Sequence, residues 1–286
     1  MDFRISLTGD LGSGKSTVCR ILSEKYDAKI YSTGPIVRKI AMERGISVVD
    51  INKFMESDPT IDFEMDNRLK LLSDEPGNLI IDSRMAWFFT QGTFKVYLST
   101  SAEESAKRIF NDKQRSSESF ETLEETARQI RMRKQSENMR YKTLYGADCG
   151  YLGNYDLVVD TTAASAQTVA DLIGEIYEKH LRGEEHIKLF LYGGRLKPSC
   201  YDFSDCEEET DDAPIKVIIA DGEIYIKEKK DHKKVLDYIS CGNNLIPCEA
   251  EYAEEQLQTD ETTLALWQEA VEKSKQKTES NKYPPA

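Results

Sequence analysis

The first 180 residues alternate short apolar runs with amphipathic stretches. The apolar runs fall at 3–8, 28–32, 79–83, 94–98 and 156–160, and each predicts a strand. Between them, apolar positions recur with helical spacing at 15–26, 34–45, 62–73, 102–111, 121–144 and 165–180. Leu79-Ile80-Ile81 and Leu157-Val158-Val159 are continuous rather than alternating, which suits parallel strands covered on both faces. Strand and helix in turn, with short connections, predict an α/β domain: a parallel sheet with helices on both faces. Ligands in such sheets bind beyond the carboxyl ends of the strands, so residues that follow strands are the first candidates for chemistry.

The pattern changes near residue 184. Residues 202–212 hold seven acidic side chains and no basic one, and 184–214 reads as an acidic linker. Ile215–Ala220 and Glu223–Lys227 predict a β-hairpin around Asp221-Gly222. A helix is expected over about 231–241, and a second in the acidic stretch 249–261, giving a small α+β domain over 215–270. The remainder, 271–286, is polar and lysine-rich and closes on Pro284-Pro285; it reads as a frayed helix running into a disordered tail.

Charge sharpens this division. The chain of 286 residues has a net charge of −13. Residues 1–183 hold 25 basic against 28 acidic side chains, net −3, whereas 184–286 hold 13 against 23, net −10. The second part repels a phosphate backbone, which argues against nucleic-acid binding. It leaves open recruitment of a protein partner. With 39% hydrophobic and 31% charged residues, the composition is that of a globular domain. The chain enters a strand directly from Met1-Asp2-Phe3-Arg4, and no run is long enough to span a membrane. The six cysteines form no C-x-x-C pair, so the expectation is free thiols in a cytoplasmic protein.

The strongest chemical signal is Gly9-Asp10-Leu11-Gly12-Ser13-Gly14-Lys15-Ser16, followed by Thr17. It fits G-x-x-x-x-G-K-[ST] between a strand and a helix, the context in which that pattern is a phosphate loop. Its backbone N–H groups hold anionic oxygens, Lys15 reaches the terminal phosphates of ATP, and Ser16 ligates Mg²⁺. Asp10 is a discordant acid in an anion site. After the second strand, Thr33-Gly34-Pro35 opens a helix with Arg38 one turn inside, a place for a second anion. After the third strand, Asp82-Ser83-Arg84 offers a carboxylate to help position Mg²⁺ and a guanidinium to clamp phosphate. A structural Asp–Arg pair is the plain alternative.

A basic stretch follows: Lys107, Arg108, Lys113, Arg115, Arg128, Arg131, Arg133 and Arg140. Any one of these is equally a solvated helix charge, and Arg133 and Glu137, four apart, are spaced to pair. Together they suggest a segment that closes over phosphates. A hydroxyl acceptor needs a base to take its proton, whereas a phosphate acceptor needs positive charge to meet a second anion. Arginines after several strands and no obvious base favour a phosphorylated acceptor such as a nucleoside monophosphate. A kinase acting on a hydroxyl, with Asp82 as base, and a non-catalytic nucleotide-binding regulator remain open.

The stretches GDLGSGKST, STGPIVRKIAMERGISVVDINKFMESDPTID, LIIDSRMAWF and RKQSENMRYKTLYGADCGYLGNYDLVVDTT occur in the order found in the short, archaeal-type cytidylate kinases, and residues 3–180 resemble that family. The resemblance implies a P-loop kinase fold and transfer of the γ-phosphoryl of ATP to CMP or dCMP with Mg²⁺. It also implies a monophosphate-binding insertion at 46–73 and a lid at about 110–120. Thr33, Gly34, Arg38 and Arg84 then face the acceptor, and Arg115, Arg131 and Arg133 are lid charges around the phosphates. Asp58 and Asp62 match a family pattern without an assigned role. The chain departs from the family at Asp10, in its short lid, and at Ser83 where a Gly often precedes the Arg. The segment PIKVIIADGEIYIKEKKDHKKVLDYISCGNNLIPCEAEY weakly resembles ParB/sulfiredoxin-like domains, without the Gly and Arg of their turn, which implies a non-catalytic domain with His232 at its surface.

Overall fold

The computed structural model describes residues 2–112, 121–199, 213–220, 222–253 and 257–282. The chain divides into two compact units, Met1–Glu184 and Glu185–Ala286.

The first unit is built in chain order from β1 (Arg4–Gly9), α1 (Lys15–Tyr26), β2 (Lys29–Ser32), α2 (Gly34–Glu43), α3 (Val48–Ser57), α4 (Thr60–Leu71), β3 (Leu79–Asp82), α5 (Ala86–Phe89), β4 (Phe94–Ser99), α6 (Ala102–Asn111), α7 (Leu123–Tyr145), β5 (Leu157–Asp160) and α8 (Ala166–Leu181). Its strands are all parallel, in the order β2-β3-β1-β4-β5. Ile5, Leu7, Ile80, Ile81, Val96, Leu98, Leu157 and Val159 are fully enclosed, as the continuous apolar runs require. Because β1 pairs with β3 on one side and β4 on the other, the sheet order reverses at β1, which opens a crevice at the carboxyl ends. Pairing sets Ser32 beside Asp82 and Asp82 beside Leu7, so the residues ending β1, β2 and β3 meet there.

The helix starts follow local rules. Ser47, Ser101, Thr122 and Ser165 each accept a hydrogen bond from the backbone N–H three residues on. Thr122 and Glu125 have the capping-box spacing, and α7 ends on Gly146 in the left-handed conformation (φ 66°). The sequence expectation assigned no helix to α3, which lies within the insertion expected at 46–73. That helix is held by its own small core of Ala41, Ile51, Met55 and Ile61, flanked by Val37, Ile40, Phe54 and Met65.

The second unit contains β6 (Leu189–Leu191), β7 (Ile215–Ala220), β8 (Glu223–Ile226), α9 (Asp231–Ser240), β9 (Ile246–Tyr252) and α10 (Glu261–Lys282). Its strands lie in the order β6-β9-β7-β8, with β9 parallel to β7 and the other pairings antiparallel. The hairpin and α9 fall where the sequence placed them; Asp221 of the turn lies outside the described residues.

Four expectations are corrected. The linker assigned to 184–214 contains β6, whose Leu189 and Leu191 are buried and pair with β9; the acidic stretch 202–212 lies outside the described residues. The helix expected over 249–261 is strand as far as Tyr252, because β9 is registered between β6 and β7. The stretch from 271, expected as a frayed helix running into a disordered tail, is regular helix to Lys282, anchored by buried Trp267 and Val271; the indole donates to the Leu196 carbonyl at 2.7 Å. His232 is not a surface residue but fully buried. Its Nε2 accepts from the Ser199 amide at 3.1 Å, and its Nδ1 lies 3.0 Å from the Lys229 carbonyl, which fixes the neutral ring.

Candidate active site

Backbone constraints shape the phosphate loop first. A Cβ on Gly9 would meet the Leu98 carbonyl oxygen at 2.2 Å, so no other residue fits against β4 there. Gly14 opens α1 with φ 81°, a conformation that side chains disfavour. The Lys15 ammonium donates to the carbonyls of Gly9 at 3.0 Å and Asp10 at 2.6 Å, and lies 3.4 Å from Ser13 Oγ. Burial above all, with Arg84 adding repulsion, pushes its pKa down to about 7; Asp82, Asp10 and Glu137 oppose this. The loop's lysine therefore satisfies itself on loop carbonyls.

The Asp10 side chain turns away from the loop's interior. It accepts from the Tyr97 hydroxyl at 2.9 Å, the Thr100 amide at 3.1 Å and the Lys134 ammonium at 2.6 Å. Burial raises its pKa, but Lys134 and these hydrogen bonds outweigh it and hold the carboxyl below its ordinary value. The discordant acid thus serves as an anchor between β4 and α7.

A cavity of about 450 Å³ opens beside the loop. Leu11, Gly12, Lys15 and Ser16 line one side, and Thr33, Gly34 and Arg38 line another, with Asp82, Ser83 and Arg84 also on its wall. The Asp82 carboxylate accepts from Ser32 Oγ at 3.1 Å. The Arg38 guanidinium folds back over Gly34, where a Cβ would lie 3.4 Å from Nη1. Arg84 and Arg133 converge on one carboxylate, Glu137: Arg84 Nε is 3.0 Å from Oε2, and Arg133 Nε donates to Oε1 at 2.8 Å. Burial opposes the Glu137 charge, but Arg84, Arg133 and Arg140 overcome it and hold its pKa at about 2. Burial likewise disfavours the Arg84 charge, and Glu137 more than offsets it. Two guanidiniums are thereby oriented beside the phosphate loop before any ligand arrives.

Further along α7, Arg140 packs on Asp62 of α4, Nε to Oδ2 at 2.9 Å, with Asp66 one turn on. Asp66 accepts from the Tyr145 hydroxyl; burial is the main cause of its pKa rising to about 6. A second cavity, about 290 Å³, lies on the other side of the loop and is lined by Ser13, Gly14, Thr17, Val18, Arg108, Thr161 and Val169 among others. Arg108 is held there by Glu104 and the Thr161 carbonyl, at 2.8 and 2.7 Å.

The structure brings most of the sequence-derived candidates together. Leu11, Gly12, Lys15, Ser16, Thr33, Gly34, Arg38, Asp82, Arg84 and Arg133 share the larger cavity, and Ser13, Gly14 and Thr17 the smaller. Gly9 and Asp10 support the loop through their carbonyls. Arg131 is exposed on α7 and lines neither cavity. Arg115 and Lys113 lie outside the described residues, with residues 113–120 of the expected lid. Sequence reasoning saw Glu137 as a helix-spaced partner on its own helix rather than as a partner of Arg84, and did not place Asp66 or Lys134 at the site. The available signal was spacing: 133, 137 and 140 lie on one face of a helix.

A model of the cytidylate kinase-like family matches residues 4–163. A cytidylate kinase of Methanothermobacter thermautotrophicus is 35% identical over 163 residues, 57% of this chain and 98% of that protein. An S-adenosylmethionine-dependent nucleotide dehydratase of Lacinutrix mariniflava is 36% identical over 180 residues, 63% of this chain but 37% of that longer one. Among solved structures, shikimate kinase from Acinetobacter baumannii aligns with 62% of this chain and 94% of its own, at 18% identity and a TM-score of 0.42.

Proposed function

The chain belongs to the cytidylate kinase-like family, and from that premise we propose that it transfers the γ-phosphoryl of ATP to a nucleoside monophosphate, CMP or dCMP above others. The observation that carries this reading is one cavity lined by both the phosphate loop and Arg38, Arg84 and Arg133. Two anions must approach one another for this transfer, and the cost of their repulsion is met by preorganised positive charge. In this reading Lys15 leaves the loop carbonyls for the transferred phosphate. Arg84 and Arg133, already aimed by Glu137, hold the acceptor's phosphate and the charge that develops between the two nucleotides. Thr33 and the start of α2 supply further donors. The smaller cavity, on the far side of the loop, takes the rest of the donor nucleotide.

Ser16 and Asp82 are the residues that would hold Mg²⁺. A hydroxyl and a carboxylate suit a hard cation, and among the described residues no cluster of three or more His, Cys, Asp or Glu side chains supplies a full protein cage. Bound by Ser16 and Asp82, Mg²⁺ would supply positive charge against the charge that develops on the transferring phosphoryl group. The cytidylate kinase relative, matched over 98% of its own length, supports a nucleotide over a small hydroxyl metabolite as the acceptor.

The test is a coupled ADP-release assay on the whole chain with CMP, dCMP, UMP, AMP and hydroxyl acceptors including shikimate. Turnover with CMP or dCMP is the expected result. ATP binding without turnover of any monophosphate overturns the reading in favour of a nucleotide sensor.

A further inference from the structure

The Asp10 carboxylate is held from three directions. Oδ1 accepts from the Tyr97 hydroxyl of β4 and from the Lys134 ammonium of α7, and Oδ2 accepts from the Thr100 amide just past β4. Its backbone is committed as well. The amide donates to the Leu98 carbonyl at 2.8 Å, and the carbonyl accepts from Lys15 Nζ at 2.6 Å and from Ser13 Oγ at 2.8 Å. One residue of the phosphate loop thus holds the loop's lysine with its carbonyl and α7 with its carboxylate.

The arginine-bearing part of α7 depends on such a tie. The buried side chains of this helix are Thr126, Glu137, Arg140 and Tyr141, and none of residues 127–136 is buried. Arg133 lies in that stretch, so its own turn has no core contact to fix its distance from the loop. The ion pair with Glu137 orients the guanidinium, but both residues belong to α7 and the pair travels with the helix. Ser136 ties the stretch to Glu56 of α3, and Lys134 ties it to Asp10, in the phosphate loop itself. Lys134 follows Arg133 directly, and consecutive helix residues point apart. One therefore reaches the cavity wall while its neighbour grips the loop.

We propose that Asp10 and Lys134 are a positioning pair for phosphoryl transfer: their ion pair holds the Arg133 turn of α7 at a fixed distance from the phosphate loop. The lysine that meets the donor and the arginine that meets the acceptor are then both set by one residue. This inference rests on the proposed monophosphate kinase activity. It accounts for an acid in an anion site, because the charge is directed at α7 rather than at the phosphates. Neither residue touches a reactant in this reading. Loosening the pair displaces a charge that acts in the transition state, so turnover falls while affinity for ATP is kept.

The test measures kcat with ATP and the best monophosphate acceptor, and the dissociation constant of ATP, on the full chain. It compares the wild type with Lys134→Met, Lys134→Arg, Asp10→Asn and the double variant Asp10→Asn/Lys134→Met. The Lys134 side chain is 49% exposed, so methionine removes the charge without opening a core cavity. In Lys134→Met, kcat is expected to fall at least about tenfold. The ATP dissociation constant is expected to stay within about threefold of the wild type. Lys134→Arg is expected to recover kcat to within about threefold, since a guanidinium also pairs with a carboxylate. The double variant is expected to be no slower than the slower single variant, because both changes remove the same interaction. A smaller loss in Lys134→Met, no recovery in Lys134→Arg, or losses that multiply in the double variant overturns the inference and leaves the kinase reading standing. A wild type that phosphorylates no monophosphate overturns both.

Discussion

Arg84 and Glu137 meet at 3.0 Å, one from the turn after β3 and the other from the middle of α7. The same carboxylate also holds Arg133, so one buried acid fixes two guanidiniums on the wall of the cavity. Glu137→Gln removes the charge and keeps the shape. Breaking a buried ion pair from one side costs roughly 3–5 kcal/mol, and urea denaturation should show a loss of that order. kcat/KM should fall at least about tenfold as Arg84 and Arg133 lose their orientation. A variant with wild-type kinetics would remove Glu137 from the site's organisation.

The same residue sets an acid limit. Its carboxyl titrates near 2 when folded and near 4.5 when unfolded, so the unfolded chain binds the proton more readily. The stabilisation is present above about pH 4.5 and is lost as pH falls toward 2. Denaturation midpoints measured from pH 6 down to pH 3 should decline in the wild type and decline less steeply in Glu137→Gln.

Lys15→Ala should lower kcat by about 10²–10³-fold, the usual value of a preorganised charge at a transferring group, with the circular dichroism spectrum unchanged. In the ligand-free chain, the ammonium titrates near pH 7. An arriving phosphate favours its charged form, so ATP binding takes up a proton wherever the lysine was neutral. Calorimetry in buffers of different ionisation heat should find uptake approaching one proton at pH 8 and little at pH 6. Equal values at both would show that Lys15 is charged before ATP binds.

Asp10 faces Tyr97, Thr100 and Lys134 rather than the phosphates, so its charge should matter to stability more than to ATP. Asp10→Ala strands a buried tyrosine hydroxyl and an amide, with an expected loss of roughly 1–3 kcal/mol. The ATP dissociation constant of Asp10→Asn should stay within about threefold of the wild type, since a change of that size is well under 1.4 kcal/mol. A large gain in affinity would mean that the carboxylate repels phosphate after all.

His232 gives the second unit a pH dependence of its own. Burial holds its pKa below 6.5, so the unfolded chain takes the proton first, and stability falls as pH drops below about 6.5. His232→Gln should flatten that slope in hydrogen exchange of α9 and β9 between pH 7 and 5. An unchanged slope would show that another group titrates there.

Much of this protein is determined locally. The phosphate loop, the five parallel strands and the capped helices follow from Gly9, Gly14, the Leu79–Ile81 and Leu157–Val159 runs, and Ser101 and Thr122, because each depends on neighbours within a few residues. The arginines after strands were visible for the same reason. Long-range packing decided the rest. β6 and the true course of 246–252 depend on which strand pairs with which, and a short apolar segment does not carry that information alone. His232 was read as exposed because it is polar and sits at a helix start, whereas its burial is set by Trp267 and Ser199, more than thirty residues away on either side. At the site, sequence showed that acids and arginines were present. Only the tertiary structure decided that Glu137 joins Arg84 to Arg133, that Asp10 faces Lys134, and that Asp62 meets Arg140. A carboxylate's role depends on which charges surround it, and that is fixed when distant segments fold together.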